Sequence, residues 1–214
     1  LEESISCYPR AIHLKADFDS AYSNLGEALT GVRFNKGDER LYPILTNLLT
    51  RGNYVRPRDV AGPILSLLRL DNLIEGELLH ATAFTDIKEV DRAINTLAQV
   101  PLLHQLMRMC PLPDLQFEAL VVSMRRVLLK SLGRIEASPE CIHFLSTVSL
   151  HCFTNEYVYF ETAEESEQIS ALETTIAETI ERGPQPIITE ALILATYRPL
   201  HQYDWSEKLH ALDQ

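Results

Sequence analysis

The sequence predicts an all-α protein. Apolar residues recur at the three- and four-residue spacing of helices along most of the 214 residues, proline and glycine interrupt them at short intervals, and no series of alternating strands is visible. With 46% hydrophobic residues, the chain is long enough to bury a substantial core. We expect a helix pair within residues 1–35, followed by an irregular helical array or bundle over residues 36–214.

The helices of the first half are placed by their apolar stripes and by proline. One helix is expected within residues 38–51, and Pro57 stands at the first position of the next, where its missing N–H breaks no helical hydrogen bond. Residues 71–84 form another apolar-rich segment. Thr85 is expected to cap a helix that ends before Pro101.

A long amphipathic helix is expected from Pro113 onward, after a region, residues 101–113, that should hold a short helix at most. A basic cluster lies along the long helix and is expected to form its solvated face; it consists of Arg125, Arg126, Lys130 and Arg134. Ser138 and Pro139 then start a helix that should run to the region of Phe153.

The last third contains the one stretch with strand-forming side chains, residues 157–160, for which the sequence offers no partner strand. Thr162 and Glu165 have the spacing of a capping box at the start of another helix. Gly183 is expected to end that helix, and Pro186 to begin one more.

An aromatic residue followed by a Leu-Gly pair stands near the beginning, at Tyr22, Leu25 and Gly26. Helix-pair repeats place these residues on their first helix, because the small glycine lets the second helix pack close. The upstream apolar positions recur at helical spacing; they are Ile5, Tyr8, Ala11 and Ile12. Residues 1–31 resemble one tetratricopeptide repeat unit, and the pattern does not recur one repeat length later.

The chain opens on Leu1 within a predicted helix, so we expect these residues to be the tail of a repeat array in a longer polypeptide. Repeat units bury their apolar faces against their neighbours. Ile5, Tyr8 and Ile12 are therefore expected either to fray or to pair with a second copy of the chain, which would give a homodimer.

Three further segments resemble a helical region found in certain bacterial multidomain proteins. In those proteins the helical region follows tetratricopeptide repeats and precedes a class I S-adenosylmethionine-dependent methyltransferase domain. The segments are residues 55–65, 152–159 and 197–201. The resemblance implies a helical module attached to an enzyme. No cofactor is expected in the chain itself, because its glycines are scattered singly and form no phosphate- or nucleotide-binding loop.

Composition limits the partners. A net charge of -11 and a pI near 5.1 argue against nucleic acid, which requires a basic surface. No apolar run approaches the ~20 residues of a membrane span, so a membrane is not expected as a partner either. Four dispersed cysteines lack the density of a disulfide scaffold and favour a reducing cytoplasm.

Two patterns suggest metal ligands. The first lies on one predicted helix and consists of Cys141, His143, His151 and Cys152. Its outer members are separated by about 16 Å at 1.5 Å per residue, which is too far for one zinc ion. The second is a pair of Glu-x-x-His spacings, Glu77 with His80 and Glu207 with His210, which are about as frequent as chance predicts in this composition. Neither pattern leads us to expect a metal.

Cys141 is the one thiol with a physical case for reactivity, since it falls in the first turn after Ser138 and Pro139, where the helix dipole favours a thiolate. Glu140 opposes that effect, and no basic partner can be assigned. A structural cysteine is the favoured interpretation, with a cysteine-dependent or metal-dependent enzyme as the alternative function.

The function favoured by the sequence is non-catalytic: recognition of a protein or peptide, or presentation of a substrate to an attached methyltransferase domain. The candidate partner-binding residues are Arg56, Arg58, Asn155, Glu156 and Tyr157. The arginines flank a helix start and could hold a carboxylate. Asn155, Glu156 and Tyr157 lie beside an aromatic run suited to protein contacts. The alternative is a structural role, in which Asn155 caps the helix and Tyr157 packs into the core.

Overall fold

A computed structural model describes Ile12 and residues 19–80, 84–183 and 187–209, of which 71% are helical and none is in a strand. The predicted all-α class is confirmed. The α-helices are α1 (Asp19–Leu29), α2 (Tyr42–Arg51), α3 (Pro57–Leu68), α4 (Asn72–Leu79), α5 (Ile87–Leu97), α6 (Pro101–Met109), α7 (Leu115–Lys130), α8 (Pro139–Thr154), α9 (Ala163–Arg182), α10 (Ile188–Ala195) and α11 (Ser206–Leu209).

Helix starts follow local side-chain chemistry. Pro57 occupies the first turn of α3, and the Ser138 hydroxyl accepts the Cys141 N–H at the start of α8, both as predicted. The prediction that Thr85 caps α5 is wrong. Asp86 is the cap, because its carboxylate accepts two backbone N–H groups of the first turn.

The centre of the fold is α8, which packs against α5, α6 and α10. Helix α6 also contacts α2 and α3, and it buries Leu102, Leu103 and Leu106. The sequence predicted only a short helix here. The proline at its first position and the mixture of His104 with leucines hide how completely α6 is enclosed.

A second group of contacts joins α7 to α4, α5, α9 and α10. This arrangement fixes the turn after α8, described below.

At the N-terminal side, α1 packs against α3. A Cβ atom built on Gly26 would lie 2.9 Å from the Val55 Cβ and 3.4 Å from the Tyr54 carbonyl oxygen. The close approach predicted for Gly26 is thus made by the loop before α3. Ile12 is buried; the other upstream residues of the predicted repeat, including Ile5 and Tyr8 of the expected dimer contact, lie outside the described residues.

Over the part of the chain that the structure describes, none of the helices combines the length and apolar character needed to cross a lipid bilayer.

Candidate recognition site at the end of helix α8

Helix α8 ends in a tight left-handed turn. The Tyr157 N–H donates to the Cys152 carbonyl at 2.9 Å, and the Glu156 N–H donates to the Phe153 carbonyl at 3.0 Å. Glu156 and Tyr157 have φ values of 52° and 55°, the only non-glycine residues with positive φ in the described chain. A left-handed conformation costs roughly 1–2 kcal/mol for an ordinary residue, so surrounding contacts must hold the turn.

Arg125 of α7 supplies the main contact. It is only 2% exposed. Its Nη2 donates to the Phe160 carbonyl at 2.9 Å, and its Nη1 donates to the Thr196 carbonyl at 3.1 Å. The guanidinium therefore ties the segment after the turn to the end of α10. The prediction that Arg125 belongs to a solvated basic face is wrong, because main-chain carbonyls and aromatic rings replace water around it.

Tyr159 fixes the same segment from a second direction. Its hydroxyl donates to His151 Nε2 at 2.6 Å, and the other imidazole nitrogen, Nδ1, donates to the Met107 carbonyl at 3.0 Å. His151 and Tyr159 are both buried. Burial lowers the pKa of His151, although the bond to Met107 opposes the shift, so the neutral ring can accept from Tyr159.

The predicted capping box is confirmed at the next helix. The Thr162 hydroxyl accepts the Glu165 N–H, while the Glu165 carboxylate accepts the Thr162 N–H at 2.9 Å. Glu165 is fully buried and also accepts the Tyr197 hydroxyl at 2.9 Å. Arg126 lies 3.4 Å from the same carboxylate. The start of α9 is thereby joined to α7 and α10.

Apolar side chains at and after the turn remain exposed to solvent. Phe153 is 55% exposed, Val158 69% and Phe160 71%. The ring of Phe153 makes edge contacts with Tyr157 and His201, with centroids 6.5 and 6.2 Å apart. We call these five residues the aromatic patch.

The structure separates the predicted partner-binding residues into two groups. Asn155 and Glu156 lie in the turn together with Tyr157, which belongs to the aromatic patch. Arg56 and Arg58 are exposed at the start of α3, a helix that packs against α1 and α6. Arg58 lies 3.7 Å from a carboxylate oxygen of the neighbouring Asp59.

Asn155 and Tyr157 also carry the structural roles proposed as the alternative. Asn155 is the C-cap residue of α8, and Tyr157 is half-buried, with burial raising its pKa to about 12. Glu156 is exposed. Phe153, Val158 and Phe160 are exposed residues of the aromatic patch that sequence analysis did not select as binding residues. The run of aromatic residues pointed to this segment, but which side chains face solvent depends on the left-handed turn.

The chemistry of Cys141 differs from that of an activated thiol. Cys141 is buried in the first turn of α8, and burial together with the charge of Asp91 raises its pKa to about 11. Its thiol is therefore protonated at neutral pH despite the helix dipole.

The residues of the two metal-like patterns have other partners. Glu77 binds Arg92 through both carboxylate oxygens, at 2.8 and 3.2 Å. His210 lies outside the described residues. Among residues 19–80, 84–183 and 187–209, no three His, Cys, Asp or Glu side chains are grouped so as to hold a metal ion.

Comparison with models of known protein families, with curated proteins and with solved structures gives no match.

Proposed function

We propose that this chain is a non-catalytic protein-recognition module that binds an apolar segment of a partner protein through the aromatic patch. The observation that carries the proposal is the exposure of Phe153, Val158 and Phe160 around a turn whose following segment is held by Arg125 and His151. Exposed apolar patches of this kind are typical of interaction sites. Aromatic side chains are also enriched at the buried centres of protein interfaces.

The hydrogen bonds beneath the aromatic patch favour specific recognition of a partner over nonspecific hydrophobic association. Arg125, His151 and Glu165 bind the turn and its flanking segments through buried hydrogen bonds. A surface that is already ordered loses little conformational entropy when it binds. The patch can therefore contribute most of its contact energy to affinity.

The charge of the chain supports a protein partner over nucleic acid. With 30 acidic and 19 basic residues, the chain as a whole would repel the polyanionic backbone of a nucleic acid. Glu156 lies in the turn itself and is exposed, which suits a partner segment carrying a basic residue beside its apolar anchors.

The resemblance of residues 55–65, 152–159 and 197–201 supports a narrower form of the proposal, in which the bound segment is presented to a methyltransferase domain on the same natural chain. The raised pKa of the Cys141 thiol does not favour the alternative of a cysteine-dependent enzyme.

The test is selection of random displayed peptides on the purified chain. Selected peptides should carry aromatic or large aliphatic anchors, and Phe160→Ser should weaken their binding at least about tenfold, the effect of a residue at an interface centre. Leu79→Ser is the matched control, because Leu79 is an apolar residue of α4 with 72% exposure. Equal binding to both variants would overturn the proposal.

A further inference from the structure

A second cluster of polar groups lies on α6 and α8, away from the aromatic patch. Arg108 Nη2 donates to His143 Nε2 at 2.8 Å and to the Thr147 hydroxyl at 3.1 Å. The His143 ring stacks on His104, with centroids 4.6 Å apart. His143 is exposed and Arg108 is half-buried, so the cluster reaches solvent.

Among the described residues, Arg108 has no acidic partner. Five other arginines hold a carboxylate at 2.6–2.8 Å; they are Arg40, Arg69, Arg92, Arg182 and Arg198. No Asp or Glu of the described residues comes within ion-pairing distance of Arg108, in a chain that carries 30 acidic residues. Its acceptors are an imidazole nitrogen and a hydroxyl, which are both neutral.

The Arg108 guanidinium is also incompletely satisfied. Its Nε is buried and has no hydrogen-bond partner among the described residues. The Nε atoms of Arg125 and Arg126 share this feature, but Arg125 binds main-chain carbonyls and Arg126 lies beside the Glu165 carboxylate. Arginine carries five N–H donors in a fixed fork, and a buried donor without an acceptor costs about 1–3 kcal/mol. An orphaned donor in a native fold requires an explanation, of which an absent ion is one.

The protonation state of His143 follows from this geometry. Arginine can only donate, so His143 Nε2 must accept and the ring must be neutral, with its proton on Nδ1. Burial, and then the charge of Arg108, lower the pKa of His143. An anion placed between the two groups would replace the Arg108–His143 hydrogen bond and reverse the second effect, so that a proton taken up at His143 Nε2 is donated to the anion.

The other charged groups near this cluster come from neighbouring elements. His104 faces His143 from α6, and its pKa is lowered by burial, by His143 when that ring is protonated, and by the charge of Arg108. Asp91 of α5 and Glu136 before α8 interact with one another, and Asp91 acts on Cys141 at the first turn of α8. Neither carboxylate neutralises Arg108.

We propose that Arg108 and His143 form a binding site for a small oxyanion, a carboxylate or a phosphate, and that binding is accompanied by uptake of one proton at His143. The Arg108 fork supplies directional N–H donors, and the protonated imidazole supplies a second positive group. Thr147 holds the guanidinium in place. The site is independent of the aromatic patch, so its failure and that of the recognition proposal are distinguishable.

The test follows the imidazole resonances of His143 by NMR between about pH 5 and 8, the range in which histidine titrates. Inorganic phosphate and acetate are the two probes, and sodium chloride keeps the ionic strength constant. If only phosphate produces a saturable rise in the titration midpoint of His143, the site is specific for phosphate. If phosphate and acetate both produce it, the site binds oxyanions in general. No change with either probe overturns the proposal.

Substitutions distinguish anion binding at Arg108 from nonspecific screening of surface charges by the added salt. Arg108→Gln should weaken probe binding at least about tenfold, as expected for loss of a charge-assisted contact. Arg134→Gln, at an exposed arginine, is the matched control and should leave it unchanged. If Arg108→Gln does not fold, Arg108→Lys retains the charge without the fork and should show reduced affinity. Unchanged binding in a folded Arg108 variant would also overturn the proposal.

Discussion

The guanidinium carbon of Arg125 lies 4.1 Å from the centroid of the Tyr197 ring, so a buried cation rests on an aromatic face at the end of α10. This contact adds a cation–π interaction to the hydrogen bonds that Arg125 makes with main-chain carbonyls. One side chain of α7 thereby organises the turn after α8 and the end of α10 together.

Arg125→Met should destabilise the fold by about 3 kcal/mol, because the carbonyls of Phe160 and Thr196 lose charged donors in a buried site. Urea denaturation measures the loss. Arg134→Met is the control, and at that exposed position the change should stay within about 0.5 kcal/mol. Equal effects of the two changes would show that Arg125 contributes no more than a surface arginine.

Acid should destabilise the chain through His104. Burial, together with the neighbouring His143 charge, lowers the pKa of His104 from its ordinary 6.5 to about 4. Between these values the unfolded state binds more protons than the folded state, so stability is complete above about pH 6.5 and falls as the pH drops toward 4. The full effect is about 3 kcal/mol.

His104→Gln is expected to flatten that pH dependence, since glutamine retains a donor for the Leu97 carbonyl without titrating. Chemical denaturation at several pH values across the window provides the measurement. A variant with the same slope as the wild-type chain would assign the acid sensitivity to other groups, of which buried His151 is the first candidate because its pKa is also lowered by burial.

Gly26→Ala should destabilise the fold by about 1–3 kcal/mol, because the new methyl group would overlap Val55 in a packed contact. Gly62→Ala is the matched change within α3. Nothing in the described structure lies within 4 Å of a Cβ at Gly62, and alanine favours a helix interior by about 0.5–1 kcal/mol over glycine. Thermal unfolding should therefore shift in opposite directions for the two variants, and a shift of the same sign would contradict the prediction.

Glu156→Gly should leave stability unchanged or raise it by up to about 1 kcal/mol, since glycine adopts the left-handed conformation of this residue without strain. Glu156→Val should lower it, because a β-branched side chain resists positive φ. Denaturant midpoints compare the two variants. A more stable valine variant would show that the turn adopts another conformation in solution.

The isolated chain should neither bind S-adenosylmethionine nor transfer methyl groups, because its eight glycines form no loop that would let the backbone approach the cofactor. Isothermal titration calorimetry is the measurement. Micromolar binding by this chain would contradict the prediction that it holds no site for this cofactor.

Features that depend on a few neighbouring residues were predictable from the sequence. The Thr162–Glu165 capping box and the first-turn proline at Pro57 are both determined within one helical turn. The error at Thr85 is small and has a local cause. Asp86 is the stronger cap, and Thr85 instead donates its N–H to Glu89.

Features that depend on distant chain segments were not predictable. The acceptors of Arg125 lie 35 and 71 residues away, so its position in the pattern of α7 could not show that it is buried. Tyr157 and Phe160 have strand-forming side chains, yet the left-handed turn and the absence of a pairing segment in the described chain leave them outside any sheet. Which aromatic residues face solvent follows from that turn.

The buried hydrogen bonds of Arg125 also determine which measurable properties of the chain should change when a partner binds the aromatic patch. Because Arg125 ties the segment after the turn to α7 and to the end of α10, we expect this segment to open only when the packing of those helices is lost. A partner that binds the folded state alone would raise the melting temperature of the whole chain by mass action. Amide exchange should then slow across α7 and α10 as well as at the contact, which permits an unlabelled thermal-shift screen for partners.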